Sequence, residues 1–135
     1  MLYALCMTPE EKTIVRALVA VAWADGEMQT PETGVIEGLL SGFDASPEEE
    51  RELLTYAEQP RALRDVPVLG LSADDKETLM RNAALLVCAD GEESEKETTL
   101  LIHLADVLEM NDEQRKEIVL SVRGGLTHLN RADED

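Results

Sequence analysis

The sequence predicts an all-α fold: a compact helical domain of two pseudo-symmetric three-helix units. Three observations lead there. Apolar residues recur at helical spacing, and no segment shows the period-two alternation of a half-buried strand. Helix-start signals, a capping residue followed by proline and acids, recur at Thr8-Pro9-Glu10-Glu11, Thr30-Pro31-Glu32 and Ser46-Pro47-Glu48-Glu49. The chain also matches itself, without gaps, when shifted by 65 residues.

In that shift Thr13-Ile14-Val15-Arg16 falls on Thr78-Leu79-Met80-Arg81, and Ala24-Asp25-Gly26-Glu27 falls on Ala89-Asp90-Gly91-Glu92. Glu32-Thr33 falls on Glu97-Thr98, Leu39 on Leu104, Glu48 on Glu113 and Glu52 on Glu117. The single domain therefore spans residues 1–135, with repeat units at 8–58 and 73–124, a linker at 59–72 and a polar tail at 125–135.

The first helix of unit one runs from the Thr8-Pro9 start through Thr13 to Ala24 and is apolar on most faces, with Ile14, Val15, Leu18, Val19, Val21, Ala22 and Trp23. A helix apolar almost all round belongs in an interior. Gly26 ends it. The second helix starts at Thr30-Pro31, presents Val35, Ile36, Leu39 and Leu40 as one stripe, and closes at Gly42. The third starts at Ser46-Pro47 and buries Leu53, Leu54 and Ala57. In the linker, Ala62-Leu63-Arg64 predicts a short extra helical turn.

Unit two repeats the plan from Ser72-Ala73-Asp74-Asp75, Ser94-Glu95-Lys96-Glu97 and Asn111-Asp112-Glu113. Gly124-Gly125 ends its last helix, and a short turn follows at 126–129. Facing the two units buries Thr13–Ala24 and Thr78–Ala89 in a shared interior.

Hydrophobic residues make up 44% of the 135 residues, and aromatics only 3%, so the core is aliphatic. The net charge of −17 repels nucleic acid and anionic membrane surfaces, which need lysine and arginine to neutralise phosphates. The same field attracts metal cations or a basic protein partner, and self-association is the other expected partner class. Cys6 and Cys88 belong to no CxxC or Cys/His cluster, which argues against structural zinc; Cys88, in an apolar helical run, reads as a buried thiol. No apolar run reaches membrane-spanning length, and the first residues lack a basic signal-peptide start, so a cytoplasmic location is expected.

The sharpest motif is Ala-Asp-Gly-Glu-x4-Glu, at Asp25/Gly26/Glu27/Glu32 and again at Asp90/Gly91/Glu92/Glu97. Each aspartate follows a helix C-terminus, where the macrodipole disfavours a carboxylate by about 0.3–1 kcal/mol. Two roles fit. The aspartate can accept turn N–H groups, with Glu97 completing a capping box on Ser94 and Glu32 gaining from the helix dipole. Alternatively, carboxylates and turn carbonyls supply oxygen ligands to a hard cation such as Ca²⁺ or Mg²⁺. The spacing is not that of an EF-hand, because glycine directly follows the first aspartate.

A hydrophobic helix ending in Ala-Asp-Gly, a glutamate seven residues past the aspartate, and the downstream capped helix at Ser46-Pro47-Glu48-Glu49 resemble the TerB-like family. That family includes tellurite-resistance TerB proteins and the N-terminal domain of DjlA-type co-chaperones. The resemblance spans about Thr8 to Gly124. It implies two pseudo-symmetric helical halves and a cytoplasmic, non-enzymatic protein linked to metal or oxyanion stress, with acidic cation ligands. Carried onto this chain, those ligands are Asp25, Glu32, Asp90 and Glu97, with Glu27 and Glu92 second in rank. No J-domain or membrane anchor is expected from these residues, so the co-chaperone role is not expected to transfer.

Four other residues are notable. His103, beside Leu100, Leu101 and Leu104, reads as a core-edge residue before a metal ligand, and its spacing to Asp106 on one helix offers no nucleophile. Trp23 reads as packing at the core or its edge. Arg61 and Arg64 are expected to form solvated ion pairs with the acidic surface.

Overall fold

The computed structural model describes residues 7–24, 30–88 and 95–122, and these are all-helical with no strand. Helices α1 (Pro9–Trp23), α2 (Thr30–Gly42) and α3 (Pro47–Tyr56) lead through 3₁₀ turns at Leu63–Asp65 and Val68–Gly70 to α4 (Ala73–Cys88) and α5 (Glu95–Val107). A last helix, α6, covers residues 112–122.

Local chemistry sets the starts. Thr8 caps α1 through a closed box: the Glu11 N–H donates to Thr8 Oγ1 at 3.1 Å and the Thr8 N–H to Glu11 Oε1 at 2.8 Å. Ser46 and Glu49 form the same box on α3, at 3.1 and 3.0 Å. Proline at the first position of both helices removes an N–H that has no intrahelical acceptor. Ser46→Ala is expected to cost about 1 kcal/mol, read as a lower urea midpoint with an unchanged slope.

The interior forms where the aliphatic helices meet. Among helices α1–α5 and the two 3₁₀ turns, α1 and α4 pack together most extensively. Ile14, Val15 and the run from Ala17 to Ala22 are buried on α1; Leu79, Met80, Ala83, Ala84, Leu86 and Val87 are buried on α4. Ile36 and Leu40 of α2, Leu53 of α3, Leu101, Leu104 and Ala105 of α5, and Ile118, Val119 and Val122 of α6 close around them. Trp23 packs at the edge, and its indole N–H donates to the Ala57 carbonyl at 2.8 Å, tying the end of α1 to the end of α3.

The 65-residue period reappears in local geometry. The bounds of α2 and α5 differ by that shift at both ends, and so do the ends of α1 and α4. Two non-glycine residues have left-handed backbones, Asp44 (φ 56°) and Glu109 (φ 59°), again one period apart. Each follows its helix with an equivalent turn: Asp44 N–H to Ser41 O and Glu109 N–H to Asp106 O, both 3.1 Å. Asn111 and Gln114 reproduce the Ser46–Glu49 box, at 2.8 and 3.2 Å. The caps of α1 and α4 break the register by one: Ser72 Oγ, not the next residue, accepts the Asp75 N–H.

The second helix closes at Gly42 as expected, and the left-handed Asp44 follows two residues on. Two expectations change. His103 is exposed instead of lying at the core edge: on α5 its neighbours Leu101 and Leu104 take the inward positions. Arg61 pairs with no carboxylate among the described residues. Its Nε donates to the Tyr56 carbonyl at 2.9 Å and its guanidinium lies over the Tyr56 ring at 4.0 Å. The linker also does more than connect, since Val66, Val68 and Leu71 are buried and its 3₁₀ turns pack on α1.

Candidate functional site

The acidic turns are bracketed by helices in the same way. Residues 25–29 lie between the C-cap of α1 and the start of α2, and residues 89–94 between α4 and α5. Glu32 and Glu97 therefore both occupy the third helical position of the helix that follows. There the helix dipole favours a negative charge. Asp25, Glu27, Asp90 and Glu92 lie outside the described residues, as do the side chains of Glu32, Glu97 and Cys88 and the whole of Cys6, Gly26 and residues 123–135. Among the described residues no group of three or more His, Cys, Asp or Glu side chains could hold a metal ion.

The described carboxylate with the most constrained setting is Glu49, which is 8% exposed. It accepts the Met7 N–H on both oxygens at 3.1 Å and the Ser46 N–H at 3.0 Å, with Lys12 Nζ 3.6 Å away. The backbone N–H of Ser46, then that of Met7, hold its pKa below the ordinary glutamate value. The result is an anchor: one carboxylate caps α3 and pins the segment entering α1.

Two surface concavities flank this frame. One, about 540 Å³, lies between the first turns of α1 and α4 and is lined by Thr8, Glu10, Glu11, Leu71, Ser72 and Asp75. It brings both helix starts to one end of the molecule. The other, about 270 Å³, lies between α5 and α6, on Thr98, Leu101, Arg115, Lys116, Val119 and Leu120.

A family model described as a protein of unknown function, DUF533, matches residues 7–122. The chain belongs to the DUF533 family. The DUF533 match runs through both acidic turns and both halves of the internal repeat. No curated protein and no solved structure is significantly similar to the chain.

Within this DUF533 chain, the sequence motif and the described geometry meet at the helix ends that bracket the turns. Sequence reasoning missed Glu49. The capping signal Ser46-Pro47-Glu48-Glu49 was visible, but the second role of that carboxylate depends on Met7, forty-two residues away in sequence. The groove on Arg115 was missed as well, because α5 and α6 each read as an ordinary amphipathic helix. No described helix is long and apolar enough to cross a membrane.

Proposed function

We propose that this DUF533 chain is a non-enzymatic, cytoplasmic, TerB-like protein of metal or oxyanion stress, tellurite resistance included. In this reading it binds a hard divalent cation, Ca²⁺ or Mg²⁺, through Asp25 and Glu32 in one half and Asp90 and Glu97 in the other. Glu27 and Glu92 supply secondary ligands. The observation that supports it is the repeated bracketing: one Asp-Gly-Glu segment joins α1 to α2 and the other joins α4 to α5 at the same register, each with a glutamate at the third position of the next helix. The same repetition underlies our inference that the two units arose by duplication and face each other about an approximate two-fold axis.

Cation binding to the folded state raises its stability by about 2.7 kcal/mol at a hundredfold excess over Kd. Calorimetric titration with Ca²⁺ and Mg²⁺ is expected to show saturable binding and a melting temperature several degrees higher. Asp25→Ala combined with Asp90→Ala is expected to abolish both. A melting temperature that stays unchanged at millimolar cation, with ionic strength matched, rules the reading out.

A second reading, an acidic docking module without a metal, draws on the breadth of the charge. Glu48, Glu50, Glu52 and Glu58 are exposed in and just after α3, well outside the two turns in sequence. This reading predicts salt-sensitive capture of a basic partner, with no response to divalent cations.

A further inference from the structure

The groove between α5 and α6 joins an apolar floor to a cationic lining on a chain of net charge −17. Leu101 and Val119 are buried in its floor, and Leu120 is 66% exposed beside them. Arg115 and Lys116 are its only charged lining residues among those described, and Thr98 completes it.

Arg115 is the unusual member. Its side chain is 11% exposed, and its one ion pair among the described residues, to Asp112 Oδ1, is long at 3.8 Å and made to a largely solvated partner. Its Nε is buried and has no hydrogen-bond acceptor among the described residues. That N–H has no surface open to the groove, so a ligand meets the guanidinium only where Arg115 lines the groove, beside exposed Lys116, and a carboxylate is a group that pairs with both cations.

The surrounding negative field repels small free anions, so an anion gains from this groove only when apolar contact adds to the charge pairing. A volume of about 270 Å³ equals the liquid volume of about nine waters, which fits a ligand on the order of ten heavy atoms. We propose that this groove binds a medium-chain alkyl carboxylate. The carboxylate pairs with Arg115 and Lys116, and the alkyl chain covers Leu101, Val119 and Leu120.

The test titrates the full chain with octanoate, octanol and octyltrimethylammonium, following amide chemical shifts and calorimetry. Octanoate is expected to bind saturably with shifts confined to α5 and α6, about tenfold tighter than octanol, while the cationic amphiphile does not bind the groove. Arg115→Gln is expected to weaken octanoate about tenfold. Because Arg115 is largely buried, Leu120→Asp provides the second variant: it changes an exposed residue and is expected to abolish binding without altering helicity. The Asp25→Ala and Asp90→Ala double variant is expected to bind octanoate like the parent, which separates this site from the cation reading.

Equal binding of octanol and octanoate, or no saturable binding, overturns the proposal. So does octanoate binding that appears only once residues 123–135 are removed, since that segment would then be the occupant. A dimer that Leu120→Asp splits would assign the groove to a second copy instead.

Discussion

Leu18→Ala is expected to destabilise the protein by about 2–5 kcal/mol, the usual range for emptying a leucine site in a packed core. Leu18 is fully buried at the middle of α1, the helix that packs most extensively on α4. A domain of this size is stable by about 5–15 kcal/mol in total, so the loss is a large share of what holds it folded. A urea unfolding curve gives the value directly. One period along, the place of Leu18 is taken by Ala83, which is also fully buried. If the equivalent positions of α1 and α4 share one space, Ala83→Leu added to Leu18→Ala restores a good part of the loss, because the total volume is conserved. If the two losses simply add, the helices do not meet at that pair of positions.

Glu49→Gln is expected to lower stability at neutral pH and to erase an acid-sensitive contribution that the parent carries. The carboxylate accepts the Met7 N–H on both oxygens and the Ser46 N–H on Oε1, whereas an amide offers one acceptor oxygen and turns two donors toward the same groups. The sign follows from linkage. The folded pKa lies below the unfolded one, so the stabilisation is fully present above the ordinary glutamate pKa of about 4.3. It is lost as pH falls through the lowered folded value. Parent and variant should therefore differ in urea midpoint at neutral pH and converge on acidification. A gap that stays constant to low pH would show that the charge of Glu49 contributes nothing to it.

Much of the architecture was legible because its determinants are short-range. Thr8 with Glu11, and Ser46 with Glu49, announce helix starts within four residues, and both boxes are present. The aliphatic run around Leu18 marks α1 as interior, and it is. What escaped depends on partners distant in sequence. Nothing near Glu49 points to Met7, and nothing in the proline-punctuated linker shows that Val66, Val68 and Leu71 turn inward onto the core. Arg61 looked like a surface charge because its stacking on Tyr56 needs the chain to reverse after α3. His103 was misplaced for a subtler reason: on a helix with Leu100, Leu101 and Leu104, a rotation of one position decides whether a neighbour faces core or solvent, and periodicity alone does not fix it. Of the candidate site, the bracketing of the two acidic turns was legible, since helix caps define it. The groove on Arg115 was not, because it exists only where two helices from different stretches of unit two come together.

The buried linker has a consequence for how the molecule comes apart. A chain assembled from two copies of a unit can keep two separable folding modules, each melting on its own. Here Val66, Val68 and Leu71 lie in the same continuous interior as Leu18 of α1 and Leu79 of α4. Cutting the chain within the linker would leave α1 and α4 each with an open apolar flank. Unfolding is therefore expected in a single cooperative step, with coincident urea transitions by circular dichroism and Trp23 fluorescence.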